Sequence, residues 1–282
     1  MSRRRLAALI GALLSLGACS PAGILNATIA RASLAVTQDV AYGPDPRQKL
    51  DIYRPAGDAK LPVIVFFYGG SWKMGSKATY PFVAATLARQ GNVVVVPDYR
   101  LYPQVTYPAF LQDCASATAW VTGHFAQIGG AGGKFFLMGH SAGAYNAAML
   151  ALNPDYLTAA GVAPGRVAGL IGLAGPYDFT PSTDPDVHQV FAPAPDAPTR
   201  PITYAGAHAP PMLLLAGDAD TTVRPRNTRA LADRVRAAGG AVETRFYPGV
   251  AHIGLVLAIA PVFQGKAPVL ADIQAFIRQH PP

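Results

Sequence analysis

The sequence predicts an α/β domain with a mostly parallel, twisted sheet of about seven to eight strands and helices on both faces. Two observations carry this prediction. Short runs rich in Val, Leu and Phe recur without polar interruption, as in strands buried on both faces. Segments of helix length separate these runs, which is the pattern of β-α-β units. The chain has 282 residues, 51% hydrophobic and 14% charged, and is long enough to bury a large core.

The predicted elements follow one another in chain order. Seven strands are expected, over 49–53, 62–68, 92–98, 134–139, 167–174, 211–217 and 241–247. Five helices are expected, over 76–90, 108–125, 142–152, 226–238 and 266–279. Gly91 ends the first helix, and Pro108 stands in the first turn of the second, where proline is tolerated. Residues 178–211 are rich in Pro, Ala and Asp without periodicity, which predicts a lid or a loop beside a functional site.

The first nineteen residues predict a targeting segment. Three arginines precede an apolar run over 6–16, which has the length of a signal-peptide core and is too short to span a bilayer. The following Leu-Gly-Ala-Cys, ending at Cys19, resembles the bacterial lipobox, in which the cysteine carries a lipid anchor to the membrane. We therefore expect a signal peptide over 1–18, a tether over 19–45 and the folded domain over 46–282.

The location follows from the same segment. A lipidated Cys19 implies the bacterial cell envelope, at the periplasmic face of the outer membrane. The alternative is an ordinary secretory signal cut near Ala18, which would give a soluble periplasmic or secreted protein.

Charge and cysteine content exclude several other classes. The formal charge of +7 includes the three arginines of the leader, and the remaining 20 basic and 16 acidic residues leave +4. No arginine cluster with interleaved aromatic residues indicates nucleic-acid binding. The second cysteine, Cys114, lies in a predicted helix, where we expect a buried, small apolar side chain. No spacing of Cys, His or acidic residues indicates a metal site.

Ser141 is the expected nucleophile. It is the central residue of Gly-His-Ser-Ala-Gly over 139–143, a G-x-S-x-G pattern between an apolar strand and an alanine-rich helix. The glycines allow the tight turn that projects the serine, and the helix N-terminus favours negative charge there. The alternative interpretation is a glycine-rich turn between strand and helix in which the serine has no catalytic role.

A serine hydroxyl needs a base and a carboxylate that orients it. Among six histidines, His252 lies in the loop directly after the last predicted strand, where parallel sheets hold their chemistry. His140 adjoins the serine, but neighbouring side chains at the bend should diverge. Asp220 is the expected carboxylate because its spacing from Gly217 places it in the loop after strand 211–217 and not at the strand tip, and Asp218 is the alternative. The order Ser, Asp, His is that of α/β-hydrolases.

The backbone that would hold an oxyanion comes earlier in the chain. Tyr-Gly-Gly-Ser-Trp over 68–72 follows strand 62–68, and the two glycines leave the backbone open to a carbonyl. We expect the amides of Gly70, Ser71 and Ala142 to be the donors that acyl transfer requires.

Four separated motifs carry a family resemblance over about 48–277. The stretches GGSW at 69–72, DYRLYP at 98–103 and LMGHSAGA at 137–144, with the later Asp and His, resemble small carboxylesterases of the α/β-hydrolase fold. The chain is similar to hormone-sensitive-lipase-like and feruloyl-esterase-like enzymes, and also to prenylcysteine methylesterases and kynurenine formamidases. The family usually has histidine where this chain has Tyr68, and that histidine supports the loop. The third glycine of the lipase-type motif is Ser71 here.

The resemblance implies a serine carboxylesterase with Ser141 as nucleophile, His252 as base and Asp220 as its partner. It also implies Gly70, Ser71 and Ala142 as oxyanion donors. Its substrate would be a small-molecule ester, and its mechanism requires no cofactor or metal. Because no large apolar cap is evident in the sequence, we expect a short to medium acyl group. Hydrolysis of an aryl formamide is the alternative within the enzymes.

Two other classes fit less of the sequence. Asp-Ala-Asp-Thr-Thr over 218–222 resembles the nucleophile motif of haloacid-dehalogenase-like phosphatases, but only about sixty residues follow it. A non-enzymatic surface lipoprotein on a hydrolase scaffold would be expected to have lost a member of the triad. Six aromatic residues are considered for the pocket wall, each more often ordinary packing: Tyr99, Tyr102, Tyr107, Phe179, Phe191 and Tyr204.

Overall fold

The computed structural model describes Asn26 and residues 33–282. The predicted signal peptide over 1–18 and the lipid site at Cys19 lie outside the described residues. The strands are β1 Leu34–Ala41, β2 Lys49–Pro55, β3 Leu61–Phe67, β4 Val93–Pro97, β5 Gly130–His140, β6 Val167–Leu173, β7 Met212–Gly217 and β8 Val242–Tyr247. The helices are α1 Pro81–Arg89, α2 Ala109–Gly123, α3 Ala142–Leu152, α4 Pro154–Ala159, α5 His188–Phe191, α6 Asp196–Thr199, α7 Arg226–Ala237, α8 His252–Leu257 and α9 Val269–Gln279.

The eight strands form one sheet in the order β1-β2-β4-β3-β5-β6-β7-β8. Strands β3 to β8 pair in parallel, whereas β1 with β2 and β2 with β4 pair antiparallel. Every residue of β4 and of β7 is buried, so both faces of the sheet are covered. The sequence prediction of a mostly parallel sheet with helices on both faces is confirmed, because uninterrupted apolar strands must be covered on two sides.

The first strand is a correction to the predicted tether over 19–45. Leu34–Ala41 pairs with β2 and therefore belongs to the folded domain. It is an edge strand with most of its residues exposed or half-buried, so it lacks the apolar run that marks the inner strands. The side chain of Asn26, also within the predicted tether, accepts the Phe82 N–H at 3.0 Å in the first turn of α1.

Two helices begin later than predicted, and proline is the reason in both. The segment expected over 76–90 divides into a 3₁₀ turn at Lys77–Thr79 and α1, which has Pro81 as its first residue. Likewise α9 starts at Val269, directly after Pro268, and not at 266. The first N–H groups of a helix have no carbonyl within the helix to bond. Proline, which has no N–H, therefore loses no hydrogen bond in the first turn, whereas further along it would break one.

Residues 178–211 fold against the domain in short turns. They contain α5, α6 and the 3₁₀ turns Pro181–Thr183 and Pro201–Tyr204. Several hydrogen bonds attach the segment, among them Tyr107 N–H to the Val190 carbonyl at 2.8 Å and Tyr145 Oη to the Thr199 carbonyl at 2.6 Å. Cys114 is fully buried in α2, as predicted. None of the helices in the described part of the chain is long and apolar enough to cross a membrane.

A buried ammonium joins β1, β2 and the turn before α1. Lys77 Nζ donates to Asp51 Oδ1 and to Asp39 Oδ1, both at 2.7 Å. The Lys77 and Asp51 side chains are 9% and 2% exposed, whereas that of Asp39 is 64% exposed. Asp51 is therefore the acceptor that water cannot replace.

Replacing Asp51 with Ala should lower the free energy of unfolding by about 3 kcal/mol, because it leaves a buried ammonium without its inner partner. Urea unfolding measures this loss. Asp39→Ala is the matched control and should produce a much smaller loss, since water can replace the exposed carboxylate. Equal losses in the two variants would contradict this account of the pair.

Candidate active site

Ser141 lies at the sharp turn between β5 and α3. Its backbone has φ 55° and ψ −125°, a strained conformation for a residue with a side chain, of the kind that functional sites retain. Ser141 N–H donates to the Leu173 carbonyl of β6 at 2.9 Å, which holds the turn to the neighbouring strand. Gly143 is needed because a Cβ there would lie 2.0 Å from the Phe67 carbonyl oxygen. The serine side chain is thereby presented at the carboxyl end of the sheet.

Three predicted residues form a continuous hydrogen-bonded chain. His252 Nε2 lies 2.8 Å from Ser141 Oγ, and His252 Nδ1 lies 2.7 Å from Asp220 Oδ2. A carboxylate only accepts, so Nδ1 carries the proton and Nε2 is free to accept from the serine hydroxyl. Asp220 is 3% exposed and His252 9% exposed, so water competes little for these contacts.

The two aspartates after β7 have different partners. The other oxygen of Asp220 accepts the N–H groups of Thr222 at 2.9 Å and Val223 at 2.8 Å, which fixes the carboxylate. Asp218 is exposed and its Oδ1 accepts the Gly249 N–H at 2.6 Å, in the turn after β8. The structure thus brings Asp220 to the histidine. Asp218, the alternative, instead bonds a neighbouring loop and takes no part in the hydrogen-bonded series from Asp220 through His252 to Ser141.

The three predicted oxyanion amides have no competing acceptor. Within the described residues, the N–H groups of Gly70, Ser71 and Ala142 donate to no carbonyl or side chain. Gly70 has φ 134°, and a Cβ on it would lie 2.1 Å from the Met74 carbonyl oxygen. Ser71 itself has φ 52°, so the chain turns sharply after Gly70. These amides remain available to an incoming oxygen.

Trp72 anchors the same loop to the helix that follows Ser141. Its indole N–H donates to Asn146 Oδ1 on α3 at 2.9 Å, and both side chains are buried. Its ring contacts Tyr145 edge-on at a centroid distance of 5.0 Å and stacks on Phe179 at 6.2 Å. The loop and the serine turn therefore share one helix as their support.

Tyr68 holds the start of this loop, residues 69–76, where the family has histidine. Its hydroxyl donates to Asp98 Oδ1 at 2.7 Å and accepts from Arg47 Nη2 at 2.9 Å. The same Asp98 oxygen accepts the Lys77 N–H at 2.7 Å, and Arg47 also donates to the Gly75 carbonyl. Burial and the negative charge of Asp98 raise the pKa of Tyr68 far above its ordinary value, so its hydroxyl stays protonated. The network ties both ends of the loop together.

A cavity of about 250 Å³ opens in front of Ser141. Trp72 and Phe179 form an apolar wall, and Asp184, Asp186 and other polar groups of segment 178–211 and of the loop before α7 surround them. The complete lining is Ser71, Trp72, Ser141, Ala142, Pro176, Phe179, Asp184, Asp186, Val187, Thr221, Thr222, Val223, Arg224, Arg226 and Asn227. The predicted position of segment 178–211 beside the site agrees with this lining.

The six aromatic residues considered for the wall divide into two groups. Only Phe179 lines the cavity. Tyr99 is fully buried and donates its hydroxyl to the Tyr68 carbonyl at 2.8 Å, while Phe191 packs edge-on against Trp72 at 4.9 Å. The remaining three, Tyr102, Tyr107 and Tyr204, are partly buried around the core outside the cavity. Most of these side chains are packing residues.

Sequence reasoning missed several residues that shape the site. Arg47 is 21 positions from the Tyr68 that it contacts, and no local pattern marks it. Arg224 and Arg226 follow the Asp220 loop closely, so their proximity to the predicted triad was a usable signal. Within the described residues, no group of three His, Cys, Asp or Glu side chains is placed to hold a metal ion.

The sheet order, the serine turn and the loops that converge on it define the α/β-hydrolase fold. Esterase B from Lactobacillus rhamnosis has the same fold, with a TM-score of 0.76 and 20% identity over 97% of each chain. The BD-FAE family model matches residues 50–235, about two thirds of the chain. The chain belongs to the BD-FAE family.

Three curated relatives carry names that describe an activity. An isoprenylcysteine alpha-carbonyl methylesterase from Arabidopsis thaliana is 27% identical over 87% of this chain and 62% of its own length. Esterase LipC from Mycobacterium tuberculosis is 30% identical over 76% and 58%. A kynurenine formamidase from Danio rerio is 33% identical over 54% and 50%. The chain thus spans between half and about 60% of the length of these relatives.

Removing the Tyr68 hydroxyl should loosen the loop that presents the amides of Gly70 and Ser71. We expect Tyr68→Phe to lower kcat for p-nitrophenyl acetate about tenfold, equivalent to about 1.4 kcal/mol of transition-state stabilisation. Tyr107→Phe is the matched control, because its hydroxyl bonds Tyr156 and the Pro198 carbonyl away from the loop. Unchanged turnover in the Tyr68 variant would show that Arg47 and Asp98 hold the loop without it.

Proposed function

We propose that this protein is a serine carboxylesterase that hydrolyses esters with short to medium acyl groups through an acyl-serine intermediate. The observation that carries the proposal is the unbroken chain from Asp220 through His252 to Ser141, with contacts of 2.7 and 2.8 Å. The free amides beside the serine and the esterases among the relatives support it.

The first half of the reaction acylates the enzyme. Ser141 Oγ attacks the ester carbonyl carbon while its proton moves to His252 Nε2. Asp220 stabilises the resulting imidazolium through Nδ1–H, and the amides of Gly70, Ser71 and Ala142 donate to the tetrahedral oxyanion. The C–O bond to the leaving group then breaks, and His252 gives its proton to the departing alcohol.

The second half returns the free serine. Water loses a proton to His252 Nε2 and attacks the acyl carbon of the serine ester. The same amides hold the oxyanion of this second tetrahedral intermediate. When it collapses, Ser141 Oγ leaves and recovers its proton from His252, and the carboxylic acid departs. Both proton transfers between Ser141 and His252 use side chains that already lie within hydrogen-bonding distance of each other.

The size of the cavity supports the short end of the acyl range. A volume of about 250 Å³ is below the roughly 300–1,000 Å³ typical of small-molecule sites. Trp72 and Phe179 offer an apolar wall, whereas most of the other lining residues are Thr, Asp, Arg and Asn. A short acyl group fits the apolar wall, and the polar lining suits a polar portion of the substrate.

Turnover of a p-nitrophenyl ester series from acetate to palmitate tests the function directly. We expect the highest kcat/KM at short chains, and a fall in kcat of about 10⁴–10⁶ in Ser141→Ala because the nucleophile is lost. Mass spectrometry after treatment with an organophosphonate should locate the adduct on Ser141. Wild-type protein that hydrolyses no ester, or a serine variant with ordinary turnover, would refute the proposal.

The two aspartates after β7 provide a matched pair. Asp220→Asn should lower kcat by about 10⁴, because the amide no longer holds His252 in the tautomer that accepts the serine proton. Asp218→Asn, two residues away and exposed, should stay within a few fold of the wild type. Steady-state kinetics on one short ester measure both, and similar losses in the pair would contradict the role of Asp220.

Hydrolysis of an aryl formamide is a second possibility with an observation in its favour. Asp184, Asp186, Arg224 and Arg226 all line the cavity, with no ion pair among them in residues 33–282. Such a lining suits a substrate with charged groups, and one relative is named kynurenine formamidase. The same serine would attack a formyl carbonyl.

The two activities are separated by comparing p-nitrophenyl acetate with an N-formyl aryl amide that carries an amino-acid side group. The ratio of kcat/KM on the ester to kcat/KM on the formamide is compared with the same ratio for an unrelated serine esterase, which corrects for the better leaving group of the ester. If this protein is a carboxylesterase, its ratio should exceed that reference by at least about 100-fold. A higher kcat/KM on the formamide would assign the second function. In that case, replacing Arg224 with Gln should raise KM for the formamide more than for the ester.

A further inference from the structure

His140 is a buried titratable residue that the reaction described above does not use. It precedes Ser141 at the end of β5 and is 1% exposed. Its side chain makes no hydrogen bond to the serine and turns toward the base. The rings of His140 and His252 have a centroid distance of 4.8 Å and an interplanar angle of 37°.

The contact between them involves the main chain of the base. His140 Nε2 lies 3.2 Å from the His252 carbonyl oxygen. A carbonyl only accepts, so the contact assigns the proton of the neutral ring to Nε2. Nδ1 is then an acceptor, and it has no hydrogen-bond partner among the described residues. It faces the start of the 69–76 loop, 3.4 Å from where a Cβ on Gly69 would lie.

Sheet geometry explains why the base needs such a support. Ser141 follows β5 and His252 follows β8, with β6 and β7 between them. Three inter-strand steps amount to about 14 Å, so residues 248–251 must carry the histidine back across the sheet edge. The side-chain contacts to Asp220 and Ser141 orient the imidazole but do not tie the His252 peptide group, in the first turn of the six-residue α8, to the end of β5. The bond from His140 restrains that peptide group.

We propose that His140 is a positioning residue: its Nε2–H holds the His252 main chain where the imidazole reaches Ser141 and Asp220 together. This inference rests on the proposed serine esterase function. It connects three catalytic parts, because His140 adjoins the nucleophile, bonds the base and faces the start of the loop with the oxyanion amides.

Two further observations support this role. Burial and the neighbouring His252 lower the pKa of His140 to about 3, so the ring stays neutral when His252 becomes charged during turnover. The unpartnered Nδ1 is destabilising, and an apolar side chain of similar size would avoid that cost. A purely structural role would therefore favour an apolar residue at position 140.

Three variants test the proposal. In Gln, the amide nitrogen lies as many bonds from Cβ as Nε2 does in His, so His140→Gln keeps the donor. His140→Asn places its amide nitrogen at the position of Nδ1, and His140→Leu has no donor. We expect kcat on a short p-nitrophenyl ester to fall 10- to 100-fold in the Leu and Asn variants, with KM within about twofold. The Gln variant should stay within about threefold of the wild type.

The control measurements distinguish a positioning role of His140 from a contribution to folding stability. Thermal unfolding of all variants shows whether loss of kcat follows loss of stability, and a strict correlation would overturn the proposal. Wild-type kcat in the Leu variant, or equal losses in Gln and Leu, would also overturn it. Nitrogen NMR of the wild-type histidines needs no activity and should show His140 protonated at Nε2 alone from pH 5 to 8. A protonated Nδ1 would refute the assignment.

The NMR measurement also separates this proposal from the proposed function. If the wild-type protein hydrolyses no ester but shows this NMR pattern, the esterase function is rejected and the contact between His140 and His252 remains.

Discussion

Every other part of the site is placed relative to the turn at Ser141. The serine adopts φ 55° and ψ −125°, and such a conformation persists only where the surrounding structure enforces it. The Leu173 carbonyl holds the serine N–H from one side, and the absence of a Cβ at Gly143 lets the end of β3 approach from the other. The turn therefore brings the Ser141 side chain, the amide of Ala142 and the loop after β3 to one point.

The parallel sheet explains why distant segments meet at that point. Strands β3, β5, β7 and β8 all end at the same edge, and the loops that leave them carry the free amides of Gly70 and Ser71, the serine, Asp220 and His252. Each loop is then fixed by its own polar contacts. Asp220 receives two main-chain amides, and Tyr68 joins Arg47 to Asp98 beneath the 69–76 loop. The rigid sheet sets the approximate positions, and these hydrogen bonds set the final distances.

The predictive value of the sequence differed among the elements. Inner strands such as β4 and β7 were predicted within one or two residues, because a strand buried on both faces must be apolar throughout. Edge strand β1 was assigned to a tether because an exposed strand carries no such run. The helix boundaries at Pro81 and Pro268 show that a single proline outweighs an otherwise helical composition.

By itself the sequence determined the fold class and identified Ser141, Asp220 and His252, which the structure brings together, because the G-x-S-x-G turn and the positions of the other two after strands are local patterns. Only the tertiary structure decided how these residues are held. Tyr68 and Arg47 are 21 residues apart, and His140 and His252 are 112 apart. Contacts of this kind depend on which strands become neighbours and on the direction of each side chain at the sheet edge. A linear pattern of residue types does not contain that information.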